Sequence, residues 1–213
     1  MNAQQIIDSA RETLLDDGTF WPTTELLGYV NEAQAEIVSI RPTACVKTES
    51  VALNAGARQS MPSGARRLID IMRNESGAAI TAVDQRDLDQ MAPGWPQATA
   101  TKTIEHYCYD ERASDVFYVY PPAASGARVE MSYAASVDDV TSAGHAISID
   151  DSYRAALVEY VLYRAHSKDT QAAVPQRAQA HYQQFAQMIG LQRQSERRIS
   201  AGEPDPNNPR ELR

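Results

Sequence analysis

The sequence predicts an α+β protein, mainly α, in which helices from both chain ends form a four-helix bundle around an inserted β-rich region, followed by an extended C-terminal tail. Three observations predict it. Apolar residues recur at helical spacing in residues 2–40 and again in 151–192. Between them, residues 44–134 read as short β-favouring runs separated by turn residues. The stretch Ala201-Gly202-Glu203-Pro204-Asp205-Pro206-Asn207-Asn208-Pro209 fits neither a helix nor a central strand, so 193–213 reads as a tail on a single domain spanning 1–192.

The first helix is expected over about 2–16, where Ile6, Ile7, Ala10 and Leu14 share a face. Asp16-Asp17-Gly18 stops it, with Gly18 suited to the left-handed position past the end. In Trp21-Pro22-Thr23-Thr24-Glu25 a threonine offers a cap and Glu25 suits a first turn. Leu26, Val30, Ala33, Ile37 and Ile40 then mark a second helix over about 24–40, ended before Pro42. The short link predicts that the two helices run antiparallel.

Val46 to Leu53 favours a strand, Asn54-Ala55-Gly56 a turn, and Arg58 to Met61 a partner for that strand. Further strands are expected at Arg67 to Arg73 and Ala79 to Val83, then a short polar helix at Asp84 to Met91, broken by Pro93, Gly94 and Pro96. Thr103 to Tyr109 alternates, with Ile104, His106 and Cys108 on one face. Val116 to Tyr120 is β-rich and ends at Pro121-Pro122, and Val129, Met131 and Tyr133 alternate on the last strand. Asp150, Asp151 and Ser152 offer caps for a third helix over about 151–167, with Ala156, Leu157, Tyr160 and Val161 on its apolar face. Pro175 suits the first turn of a fourth, about 175–192, where Ala178, Tyr182, Phe185 and Ile189 share a face.

A net charge of −8 opposes a grip on duplex nucleic acid. The tail holds Arg193, Arg197, Arg198, Arg210 and Arg213 against four acids, a net of +1, which leaves −9 on residues 1–192. The start of the chain lacks the basic and apolar regions of a secretory signal, no run of 18 apolar residues suggests a membrane span, and Cys45 and Cys108 form no CxxC or metal spacing. Neither GxGxxG, GxxxxGK[ST] nor GxSxG occurs. His106, His145, His166 and His181 lack metal-site neighbours and read as surface or strand residues. Glu32 and Glu36, Asp138-Asp139 and Asp150-Asp151 read as a surface pair, loop borders and caps, and no pair is singled out for glycoside hydrolysis. Tyr107, Tyr109, Phe117, Tyr118, Tyr120 and Tyr133 cluster in the β-rich middle, but flanking acids make them sheet core or a protein-binding face, not a nucleic-acid stacking platform. No catalytic residue, metal ligand or cofactor-binding residue is assigned.

Three stretches carry a resemblance: Trp21 through Val38; Arg58-Gln59 through Pro62, Leu68-Ile69-Asp70 and Arg73-Asn74; and Val116 through Pro122 joined to Tyr153, Tyr160 through Ala165, and Ser167-Lys168-Asp169. In that order and spacing they resemble the head-to-tail adaptor (connector) proteins of tailed phages, over roughly residues 2–190. The resemblance implies a virion structural protein without enzymatic activity or cofactor, at the head-tail junction after assembly in the host cytoplasm. It implies a homo-oligomeric ring, a dodecamer, bound to the portal protein on one side and to a tail or nozzle protein on the other. Double-stranded DNA passes through the lumen during packaging and ejection without specific binding, and no membrane is involved. In related adaptors a C-terminal extension reaches the portal, so Arg193, Arg197, Arg198, Arg210 and Arg213 become candidate portal-binding residues. The alternatives are another tail-completion or tail-terminator protein, a peptidoglycan-degrading tail accessory, and a free cytoplasmic binding module.

Overall fold

The computed structural model of the chain describes residues 1–168 and 175–200, with side chains through Leu191. Asn2 opens the first helix, α1 (Ala3–Leu14): its side chain accepts the Gln5 amide, and the Gln5 side chain accepts the Asn2 amide in return. Two otherwise orphaned donors are satisfied by this capping box. The helix stops at Leu15, which itself takes the left-handed conformation (φ 53°), a turn earlier than the Asp16–Gly18 signal predicts. α2 (Thr23–Ile40) begins at Pro22 with no side-chain cap; Thr23 instead accepts from Arg11 of α1. α4 (Arg154–Ser167) and α5 (Pro175–Ser200) close the helical part, after a first 3-10 turn over Asp151–Tyr153 in which the Asp150 side chain accepts the Ser152 amide. α3 (Gln85–Met91) lies in the β-rich region, capped by Asp84.

The chain divides into two compact units, Met1–Arg41 with Val137–Arg213, and Pro42–Ser136. In the first, α4 is the common partner. α1 and α2 pack against each other and against α4, while α5 packs on α4. Leu157, Val161, Leu162 and Ala165 of α4 are buried with Ile6, Ile7, Leu26, Val30, Ile37 and Phe185. The irregular segment after Val137 is tied down by Asn31, whose side chain donates to Val140 O and accepts from Val140 N (3.1 and 2.8 Å). The four-helix bundle expected from the sequence is not what forms. A bundle needs each helix to turn a continuous apolar stripe into one shared core. Apart from Ala178, Phe185 and Ile189, most of the α5 surface up to Leu191 is exposed. Nor is the protein mainly α, because the second unit is built on two sheets.

That second unit holds seven strands: β1 (Val46–Ala52), β2 (Gly56–Ser60), β3 (Ala65–Asn74), β4 (Thr81–Ala82), β5 (His106–Tyr109), β6 (Val116–Ala123) and β7 (Arg128–Ala135). They form a three-stranded sheet in the order β1-β7-β3 and a four-stranded sheet in the order β2-β6-β5-β4. β1 and β2 are therefore not the hairpin the sequence suggests. The Gln59 side chain accepts the Asn54 amide and donates to the Asn54 and Gly56 carbonyls, satisfying groups a hairpin ladder would use. Gly56, at φ 111°, then turns the chain so that β2 pairs with β6 while β1 pairs with β7. β6 also runs past its expected end, through the cis Tyr120–Pro121 peptide to Ala123; proline lacks a donor but Pro122 O still accepts from Thr101 N.

Alternation on β5 is legible only in part, because both faces are covered. Cys108 packs with Ala57, Leu88 and Trp95, whereas buried Tyr107 points the other way and donates to Asp70 (2.9 Å). Asn74 bridges β3 to the segment before β5. Its buried amide donates to Ala78 O and Ile104 O and accepts from Ile104 N. Asn74→Ala leaves the Ile104 groups unpaired in the interior, and we expect a loss of about 2 to 4 kcal/mol in a urea titration. A change below about 0.5 kcal/mol, the range of inert surface substitutions, would show that the bridge is not structural.

Candidate functional site

The helical unit gathers its aromatic and ionisable side chains along two seams of α4. On the α2 seam, Tyr29 lies between two ion pairs. Lys168 binds Glu25 (2.7 Å), Arg164 binds Glu32, the Tyr29 hydroxyl donates to Glu25 (2.7 Å), and the Arg164 guanidinium sits 5.2 Å from the centre of the Tyr29 ring. Glu25, Tyr29 and Glu32 fall at helical steps of four and three, which places all three on one face of α2. The hydrogen bond from Lys168 holds the Glu25 carboxyl below the usual range, and burial together with the Glu25 acceptor pushes Tyr29 up to about 12. Glu32 thus pairs with α4 while remaining exposed at the surface, where its spacing from Glu36 puts it.

On the α5 seam, Tyr160 meets Phe185 edge-on (5.2 Å) and Tyr163 meets Tyr182 (5.0 Å). One turn further along α4, the His166 and His181 rings stack with centroids 5.5 Å apart, and His181 Nδ1 contacts Glu159 (2.7 Å). Trp21 completes the row. Its indole donates to Ala165 O and its ring meets His166 edge-on at 6.5 Å. A cleft of about 520 Å³ opens beside this row, lined among others by Tyr163, His166, Lys168, Pro175, Ala178 and Tyr182. Sequence reasoning placed His166 and His181 on the surface; His166 is buried and His181 half-buried. The missed signal is positional, since His181 lies three residues after Ala178 and four before Phe185, on the buried stripe of α5.

In the β unit two of the clustered tyrosines are held in place by acids. Tyr107 donates to Asp70 and Tyr133 to Glu49 (2.7 Å), and burial with these acceptors pushes both up to about 12. Tyr109 accepts the Leu68 amide, His106 stacks on Tyr120, and Phe117 is fully buried. Burial raises the Cys108 thiol to about 11, which keeps it protonated and unreactive near neutral pH. Both cysteines are buried thiols. Among the described residues no group of three or more His, Cys, Asp or Glu is arranged to hold a metal ion, and no helix is long and apolar enough to cross a membrane. Asp110, exposed, is held at about 2 by its hydrogen bonds from Arg112. Arg193, Arg197 and Arg198 fall on the last turns of α5, but their side chains lie outside the described residues, as do Arg210 and Arg213 entirely.

The model of the SU10 adaptor protein family matches residues 1–210. No curated protein matches the chain.

The His166 environment predicts a pH dependence. Burial, with the nearby His181 and Arg177 of α5, lowers its affinity for a proton in the fold below that of an ordinary histidine. The unfolded chain then binds more protons as the pH falls, so the stabilisation is complete above about 6.5 and is lost toward the lowered folded value. Between pH 7.5 and 5, the melting temperature of the wild type should fall further than that of His166→Gln, which carries no titratable ring. Parallel melting curves for the two proteins would exclude His166 as the source.

Proposed function

The chain belongs to the SU10 adaptor protein family, a phage head-to-tail adaptor family, and from that premise we propose the following role. It is a structural protein of the phage particle, and it meets other head and tail proteins. In finer terms, we propose a ring of identical copies, twelve in number, seated between the portal and the tail or nozzle at the head-tail junction and recruited there from the host cytoplasm. The observation that carries this reading is the extent of the family match, which takes in both chain ends and the whole β-rich insertion.

Physical chemistry supports the details. A closed ring needs a heterologous interface, in which one patch of a subunit meets a different patch of the next. The ion-paired α2–α4 seam gives a rigid wall for such contacts. A chain of net charge −8 offers duplex phosphates few stable contacts, which suits a lumen through which DNA slides. Tyr29, Tyr107 and Tyr133 each donate to a carboxylate of the fold, in keeping with a role that is not enzymatic. On this proposal the Arg-rich segment anchors the ring: Arg193, Arg197 and Arg198, with Arg210 and Arg213, pair with carboxylates on the portal.

Light scattering on the purified protein, alone and with its cognate portal, tests the role directly. A stoichiometric complex with the portal is expected; a protein that ignores the portal under all conditions refutes the adaptor role. Deleting residues 193–213 should abolish co-purification with the portal and leave the melting temperature of the remaining fold unchanged. A truncated protein that docks with full affinity would remove the segment as the anchor.

A further inference from the structure

β1 is an open edge of its sheet. It pairs with β7 on one side only, in a register that runs unbroken from Val46 opposite Ala134 to Ala52 opposite Arg128. The bonds just beyond its two ends show which backbone groups are spent. Ala135 N donates to Cys45 O and Leu53 N to Ala127 O (2.8 and 2.9 Å). Hydrogen-bonded positions alternate along an antiparallel pair, so the odd-numbered residues of β1 face β7. The amides and carbonyls of Val46, Thr48, Ser50 and Ala52 face away from the sheet. Ser50 O accepts from Arg128 (2.8 Å) and keeps a second lone pair. Apart from half-buried Val51, every residue of the strand is exposed.

The other strand edges are blunted. β3 shifts register three times against β7, Leu68 N donates to the Tyr109 hydroxyl (3.3 Å), and Met72 O accepts from Ile80 N (3.1 Å). β4 has two residues, and β2 carries an irregularity between Gly56 and Arg58. Bulges, short strands and covering groups are the usual protections of a sheet edge. Among the described residues β1 has none of these, and its row of unused backbone groups is a template for another strand.

The side chains select that strand. Lys47 and Glu49 are the charged residues of β1, and both are exposed on one face. Glu49 accepts from Tyr133 through one oxygen only. Antiparallel pairing of β1 with a second β1 about Thr48 sets each Lys47 opposite the Glu49 of the other copy. These are non-hydrogen-bonded positions, where side chains across a pair of strands come closest. A slip of two residues in either direction sets Lys47 on Lys47 or Glu49 on Glu49, and like charges directly opposite are unfavourable.

We propose that β1 pairs antiparallel with β1 of a second copy, with Thr48 on the two-fold axis and a Lys47–Glu49 pair on either side, joining two three-stranded sheets into one. The contact is isologous and closes at two copies, so it stands apart from the ring reading. It describes the protein before it joins the particle, when the edge would otherwise be open to other strands. One pair of strands buries well under the roughly 1,600 Å² of a standard interface, so the dimer is weak and opens on dilution.

Sedimentation equilibrium of the full-length protein at low salt, over a wide range of concentration, is expected to show reversible dimerisation with no larger species. Lys47→Glu, at an exposed site, should leave the melting temperature unchanged and lower the association constant about tenfold, because both cross-strand pairs become like-charged. Glu49→Lys should weaken self-association similarly, and mixing the two variants should restore the dimer, since every charge then meets its opposite. Glu49→Lys also removes the acceptor of Tyr133, so its melting temperature is measured first. If it does not fold, Lys47→Glu decides alone. A wild type that stays monomeric at every concentration, or grows past two copies without the portal, overturns the contact. So does a Lys47→Glu protein that dimerises as well as wild type. Portal binding by wild type in any of these cases leaves the adaptor role standing.

Discussion

Half of α4 is spoken for. Ala156, Leu157, Tyr160, Val161, Leu162, Ala165 and His166 are buried against three neighbours, α1, α2 and α5, and α4 is the element to which each of these is attached. At about 25 cal/mol per Å² of apolar surface removed from water, side chains of this kind supply most of what holds the unit together. The helix is also where the two chain ends meet, since α1 and α2 come from the start and α5 from the end. Displacing α4 would strand the apolar faces of all three.

The polar chemistry follows from that placement. Side chains at the edges of the buried face of α4 cannot reach water freely, so they find partners on the neighbouring helices. Arg164 takes Glu32 and the Tyr29 ring, Lys168 takes Glu25, and Glu159 takes His181. Each of these pairs is partly exposed and is worth little alone. Their value lies in register, because each fixes how far a neighbouring helix slides along α4. The His166–His181 stack is the exception, because it sets two titratable rings face to face where burial disfavours a charge on His166.

The β unit solves a different problem with related means. Its sheets bury Phe117, Val119, Val129 and Met131, and it satisfies the irregular connections with single buried amides. Gln59 makes the corner after β1, and Asn74 joins β3 to Ile104. Long polar side chains thus stand in for ladder hydrogen bonds at the points where the chain changes sheets.

The sequence by itself determined the local structure. Residue spacing placed the helices, Asp150 marked a real cap, and Arg41 closes α2 before Pro42 as expected. The three quoted stretches carried the family. These features are local because a helical hydrogen bond links residues four apart, so the pattern and its partners lie within one window. What only the tertiary structure decided depends on partners far along the chain. β1 pairs with β7, more than 75 residues away in sequence, and not with its neighbour β2, because Gln59 takes up the turn. α5 joined α4 without completing a bundle, since most of its surface had no apolar stripe to offer a shared core. His166 looked like any polar residue near a helix end; burial came from Trp21 and His181, which reach it from 145 residues before and 15 after. Periodicity records which residues share a face, but not which face finds a partner.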